Sequence, residues 1–187
     1  MSFWTDMGGK DPKRNFRFKI TINGFNQSVV WWAKKVQKPN YSIAEVKHVY
    51  LGHTFYYPGK LEWQEVTMTL VDPAEKDGVD ALEQLNKIVV SSGYQLPVKD
   101  VVTKTMSKDK ANGALVSVTI DQLNADGISI EKWELMNPFL KKVSFSDLDY
   151  ENDDLTTIDI ALRYDWAKCT VGGADNSAPF FNINAQQ

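Results

Sequence analysis

From Ile158 to Trp166 every second residue is large and apolar: Ile158, Ile160, Leu162, Tyr164 and Trp166. Asp159, Ala161, Arg163 and Asp165 fill the gaps. A period of two puts the two sets on opposite faces of a β-strand, so the stretch LTTIDIALRYDW (155–166) is a half-buried strand by its own pattern. Such a strand needs a second layer to cover its apolar face and neighbours to satisfy its backbone N–H and C=O groups.

The same period recurs along the chain. Phe16, Phe18, Ile20 and Ile22 alternate with Asn15, Arg17, Lys19 and Thr21 and end at Asn23-Gly24, a pair suited to a hairpin turn. SVVWWAKKVQ (28–37) is expected to be the partner strand, closed by Lys38-Pro39-Asn40. Residues 41–60 have strand-like composition broken at Gly52 and at Pro58-Gly59, which predicts an extended hairpin projecting from the domain. In WQEVTMTLVDP (63–73), Val66, Met68 and Leu70 share a face. Three further strands are expected in ALVSVTIDQL (114–123), ISIEKWELMNPF (128–139) and LKKVSFSDLDY (140–150), the first two joined by a turn at 124–127.

One helix is expected, over GVDALEQLNKIVVSSG (78–93). Val79, Leu82, Leu85, Asn86 and Val89 recur at helical spacing, and Gly93 is placed to cap the C-terminus. The polar, lysine-rich residues 97–113 are expected to form a loop or a weak hairpin. The fold class is therefore mainly β, an antiparallel sandwich or barrel with one inserted helix. Its boundaries are an N-terminal arm over 1–14 carrying Phe3 and Trp4, a β domain over 15–167, and a flexible C-terminal tail over 168–187.

Composition and motifs narrow the function. With 43% hydrophobic and 24% charged residues the chain can build a core, and a net charge of −3 gives no basic footprint for gripping nucleic acid. The single cysteine, Cys169, excludes an internal disulfide and a multi-cysteine zinc site. MSFWTDMGGKDPKRN has no apolar stretch of a secretion leader, and the longest apolar run is VVWWA (29–33), so a cytoplasmic chain with no stable membrane insertion is expected.

Asp147, Asp149, Glu151 and Asp153 alternate like the start of a calcium loop, but Asn152 stands where the turn glycine belongs and Ile158 where the bidentate glutamate belongs. GGKD (8–11) is not a phosphate-binding loop, and His48 and His53 have no third ligand nearby in sequence. No nucleophile elbow or acid/base pair is present, so no catalytic, cofactor or metal residues are assigned and the chain is not expected to be an enzyme. Exposed aromatics on a monomeric β-sandwich would suit a carbohydrate-binding module, although Trp31, Tyr56 and Tyr57 fit a protein interface better.

Open antiparallel sheets leave unpaired backbone groups along their edges. The final strand contains no proline, so assembly is one way to satisfy it: a head-to-tail contact repeated around an axis closes a ring. The polar face of that strand would then line a lumen.

The C-terminal half, ISIEKWELMNPFLKKVSFSDLDYENDDLTTIDIALRYDW, resembles the major tail tube proteins of contractile-tailed bacteriophages (myoviruses). The likeness lies in a strand from Trp133 to an Asn-Pro turn at Pro138, an acidic hairpin loop over Asp147–Asp154, and a last alternating strand over Ile158–Trp166. YLGHTFYYPGKLEWQEVTMTLVDP followed by a helix is similar to that family's stacking loop, strand and helix, and NFRFKITINGF…VVWWAKKVQKP to its first hairpin.

The resemblance implies hexameric rings stacked into a hollow tube, with neighbouring subunits' sheets joined into a ring-shaped β-barrel. It implies a virion-tail location after assembly in the host cytoplasm, and as partners further copies of this chain, a tail sheath protein, and baseplate and tail-terminator proteins. Genomic DNA would pass through the lumen without sequence-specific binding, and the related secretion-system inner tubes and baseplate-proximal tube proteins are the alternative. Duplex DNA carries about one charge per 1.7 Å of axis, so a conduit that must release it is expected to be neutral or acidic. Thr157, Asp159, Arg163 and Asp165 are the lumen-facing candidates, with Arg163 neutralised by a neighbouring carboxylate; otherwise this face meets solvent or the sheath. Within the extended loop 41–62, Tyr50, Leu51, Phe55 and Tyr56 are the ring-stacking candidates.

Overall fold

The computed structural model describes residues 12–23, 33–72, 81–97, 105–151, 153–172 and 179–180. Two antiparallel sheets face each other across the core. The first contains β1 (Phe18–Asn23), β6 (Ser117–Leu123), β7 (Ser129–Met136), β10 (Trp166–Val171) and β11 (Pro179–Phe180), in that spatial order. The second runs β2 (Ala33–Val36), β5 (Val66–Val71), β9 (Thr157–Arg163), β8 (Phe139–Phe145). A separate two-stranded ribbon is made by β3 (Tyr41–Tyr50) and β4 (His53–Trp63). This is the expected antiparallel, mainly β architecture.

The alternating residues fill the space between the sheets. Ile20, Ile22, Val118, Ile120, Leu135 and Ala167 come from the first sheet, and Val66, Met68, Leu70, Ile158, Ile160 and Leu162 from the second. Helix α1 (Ala81–Ser91) adds Ala81, Leu85 and Ile88 to this core.

Strand pairing departs from the expected order. β1 does not form a hairpin with the strand that follows it; it pairs with β6, while β2 pairs with β5 in the opposite sheet. Buried Gln122 fixes the start of β1, its Nε2 donating to the carbonyls of Arg14 (2.7 Å) and Arg17 (2.8 Å). Residues 24–32, where the expected turn and the first half of its partner lie, fall outside the described residues.

The closing strand also differs. It is two strands: β9 ends at Arg163, and the chain crosses to the other sheet before β10 begins at Trp166. The inward phase changes with the crossing, from Ile158, Ile160, Leu162 and Tyr164 to Ala167 and Cys169. Asp165 holds the corner. Its backbone N–H donates to Met136 O (3.0 Å), and its carboxylate accepts from Lys108 Nζ (2.8 Å) and from Nδ2 of Asn137 (2.9 Å), a residue with φ of +52°. β10 continues to Val171, so 168–171 are strand where the tail was expected to start. Nor is β9 an edge: it is bonded on both sides, to β5 and β8.

Two helices are present among the described residues, not one. In α1 the buried face is Ala81, Gln84, Leu85 and Ile88, rotated from the expected stripe, so that Leu82 and Asn86 are exposed; Val79 lies outside the described residues. Gly93 ends it at φ +103°, with its N–H on Val90 O (2.9 Å), and a Cβ there would come within 2.6 Å of Thr105 O. Helix α2 (Lys108–Ala114) lies in the segment expected to be a loop or weak hairpin. Ser107 caps it by accepting from Lys110 N–H (3.3 Å), and it packs on α1.

One carboxylate ties the N-terminal segment to the body. Glu131 on β7 is buried and accepts from Lys13, from Lys38 Nζ (2.7 Å) and from Trp133 Nε1 (2.6 Å). Burial pushes its carboxyl up, but the three donors outweigh that and hold it down to about 2.

Candidate assembly surfaces

The β3–β4 ribbon is the projecting hairpin the sequence predicts. Apart from half-buried Trp63, every residue from Tyr41 to Trp63 in its two strands and turn is exposed. At about 3.3 Å per residue its ten-residue β3 reaches some 33 Å. Its base is anchored by Trp63, which packs edge-on to Tyr41 (centroids 5.3 Å apart) and against Tyr164 (6.0 Å), itself buried in the core. Its tip is a two-residue turn with Leu51 at φ +46° and Gly52 at φ +80°, matching the twist of the flanking strands. Leu51 is thus held in a conformation disfavoured for a side-chain-bearing residue while 80% exposed. Pro58-Gly59, read in the sequence as a break, is a bulge inside β4: the register shifts between Ile43 and Glu45, and a Cβ on Gly59 would meet Ala44 O at 2.9 Å.

Register sorts the ribbon into two faces. Val46 lies opposite Tyr57, His48 opposite Phe55 and Tyr50 opposite His53, and these six share one face. Lys47 opposite Tyr56 and Val49 opposite Thr54 lie on the other. Of the four stacking candidates, Tyr50 and Phe55 therefore stand together, Leu51 sits at the tip, and Tyr56 points the opposite way. Both faces carry exposed apolar groups: Val46, Tyr50, Phe55 and Tyr57 on one, Val49 and Tyr56 on the other.

The second surface is the outer face of the β2–β5–β9–β8 sheet. Thr157, Asp159 and Arg163 lie along it on β9. One row across the sheet runs Lys35, Thr69, Asp159, Ser144, and Thr69 Oγ1 donates to Asp159 Oδ1 at 2.6 Å. Ala161 lies opposite Lys142 and Thr67 in the next row. Glu65 near Arg163 is bonded by Lys141; that hydrogen bond, then the charges of Lys141 and Arg163, hold its carboxyl below the usual range. That carboxylate is thus paired with Lys141, and Arg163 adds only a weaker charge influence on it. Asp165 is not part of this face, because it is spent at the corner with Lys108 and Asn137. Lys35 and Lys142 belong to the face and come from strands whose register the sequence does not reveal.

Sheet edges are the third feature. β2 is four residues long, with exposed Lys34 and Lys35 and a register shift, all of which discourage pairing. β8, seven residues long, is the longer edge of that sheet among the described residues.

A cleft of about 700 Å³ opens beside the acidic loop and is lined by Lys34, Asp147, Asp149, Asp154 and their neighbours. Among the described residues no three His, Cys, Asp or Glu side chains group as a metal site. The tryptophans described, Trp63, Trp133 and Trp166, are half-buried rather than laid out as a platform; Trp31 lies outside the described residues. Among the described residues no helix is long and apolar enough to cross a membrane.

No family model matches the sequence. No curated protein matches it either. Solved structures do. A chain in the cryo-EM structure of an extracellular contractile injection system, the PVC sheath/tube terminator in its extended state, superposes with a TM-score of 0.60 at 15% identity, covering 86% of this chain and 98% of that one. The tube-terminating cap of the anti-feeding prophage gives 0.59 at 15% identity, covering 91% and 98%. A chain of the PVC sheath-tube complex gives 0.57 at 18% identity, covering 92% and 99%. All three are named for tube, sheath-tube or tube-terminating assemblies, so the fold of this chain is the one its resemblance to tail tube proteins implied.

Proposed function

We propose that this chain is a non-enzymatic structural subunit of the tube of a contractile tail, assembling as hexameric rings that stack into a hollow conduit. The observation that carries the reading is the hairpin. Strands of ten and eleven residues with aromatic and aliphatic side chains exposed on both faces are costly on a monomer and useful between copies. The edges of β8 and β1, which pair with no further strand among the described residues, supply the second contact, through which sheets of neighbouring copies join around a ring. A sheath protein outside and baseplate and terminator proteins at the ends are the partners that follow. A phage tail tube that conducts DNA is the form the sequence resemblance favours.

A terminal position in an injection device is the second reading. It is favoured by the likeness to a tube terminator and a terminating cap. A monomeric sugar-binding module is disfavoured by half-buried Trp63, Trp133 and Trp166.

Negative-stain electron microscopy across concentration, with mass measured in solution, tests these together. Long hollow tubes of uniform width are expected of a tube subunit. Single rings that never stack would identify a terminator, and a strict monomer that binds sugars would sink the assembly reading.

A further inference from the structure

The chain contains two histidines, and both lie on one face of the β3–β4 hairpin near its tip. His48 is opposite Phe55, and His53 is two residues from Phe55, so the imidazoles are diagonal neighbours, about 7–8 Å apart at Cα. Around them on that face stand Val46, Tyr50, Phe55 and Tyr57, all exposed. No carboxylate shares this stretch. Glu45 and Lys47 project from the opposite face, and Glu62 is at the hairpin base, opposite Ser42. Between Val46 and Tyr57 the titratable groups facing the pair, besides the histidines themselves, are Tyr50 and Tyr57; farther toward the base the same face carries Lys60 and Glu62.

Imidazole is the side chain whose ordinary titration falls between about pH 5 and 8. Neutral, the two rings belong with the aromatic face and can be covered by an apolar surface. Protonated, each would have to shed water on entering such a contact with no carboxylate beside it between Val46 and Tyr57 to offset the cost, and the two cations would repel. We propose that the hairpin is a pH-gated contact between copies of this chain, closed while His48 and His53 are neutral and opened when they take up protons. This rests on the stacking role given to the hairpin above. The occupant is a second copy: the hairpin strands carry two glutamates and two lysines, so at neutral pH the element offers no net charge to a nucleic acid or a membrane surface.

The expected sign is opposite to the generic one. Acidifying toward the pI of about 5.4 removes net charge and ordinarily promotes association, whereas this contact should loosen. The test uses the full chain assembled at pH 8 with EDTA present throughout, then shifted stepwise to pH 5.5 and followed by sedimentation. With up to two protons taken up per contact, the association constant should fall by up to roughly 100-fold per pH unit. The double variant His48→Gln/His53→Gln should stay assembled across the range. His48→Arg, which fixes a cation on the face, should fail to stack even at pH 8 while keeping the circular dichroism of the folded subunit. Wild-type tubes unaffected or strengthened at pH 5.5 would overturn the gate and leave the stacking role standing, as would a double variant that still comes apart on acidification. A wild-type chain that assembles at no pH would overturn both.

Discussion

Glu131 draws polar contacts from widely separated parts of the chain. Its carboxylate takes Lys13 from the N-terminal segment, Lys38 from the connection between β2 and β3, and the indole of Trp133 on its own strand. The acid is buried while both lysines are roughly half-exposed, so water screens the lysine end and each bond is worth less than a fully buried pair. Glu131→Gln should lower stability at pH 7 by about 1–3 kcal/mol, measured as the shift in urea midpoint at constant slope. The pH dependence has a definite sign. The folded carboxyl sits near 2 against an ordinary 4.5, so its contribution is complete above about 4.5 and is lost as pH falls through the window down to about 2. The variant should lack that part of the acid limb. Equal losses in both proteins across that window would mean that other carboxylates carry it. Nothing in the local sequence around Glu131 identifies this knot, because its partners are 118 and 93 residues away.

At the scale of elements, the hairpin contributes little to the domain that carries it. Its strands pair with each other, and its base is tied to the body at Trp63, at the backbone bond from Gln64 N–H to Asn40 O (2.8 Å) and by the Gln64 side chain, whose Nε2 donates to Ser42 Oγ (3.2 Å). Replacing residues 46–57 by a tight turn should therefore leave the unfolding midpoint of the domain nearly unchanged, giving subunits that close into rings without elongating. Long tubes from the shortened chain, seen by electron microscopy, would move the stacking contact elsewhere. This hairpin was legible in the sequence because strand composition and turn residues are local signals. Pairing was not. The alternation in β1 and β2 is real, yet a period of two states which face is buried and not which strand lies alongside, so a hairpin was expected where the chain changes sheets. Likewise Ile158–Trp166 reads as one strand, because the phase change at the corner is spelled only by Asp165 meeting Lys108 and Asn137 from elsewhere. Helix α2 escaped for another reason. Seven residues that bury only Ala111 have no amphipathic stripe, and the Ser107 cap alone is a weak signal.

For the whole molecule, the open question is which surface a ring would turn inward. The outer face of the β2–β5–β9–β8 sheet is the candidate, and its chemistry is mixed: threonines and Asp159 flanked by Lys35, Lys142 and Arg163. A lumen of this kind is less acidic than DNA passage alone would favour, since each unpaired cation facing phosphate adds salt-dependent adhesion. Asp159 can report its own location. It is exposed, and its hydrogen bond from half-buried Thr69 is a side-chain contact at the sheet surface, so Asp159→Cys should cost at most about 1 kcal/mol. The only native thiol will not interfere: Cys169 is buried, and burial, then the nearby Glu131 charge, pushes it up, away from the reactive thiolate. In the free subunit the new cysteine should react with a small maleimide and with a bulky polyethylene-glycol maleimide alike. In assembled tubes, a luminal position keeps its reaction with the small reagent, which diffuses in from the open ends, and loses it with the bulky one. Equal reaction with both would place this face outside, toward solvent or sheath, and protection from both would bury it between copies. Asp165 is no substitute as a probe, because removing its carboxylate undoes the corner that carries the chain from one sheet to the other.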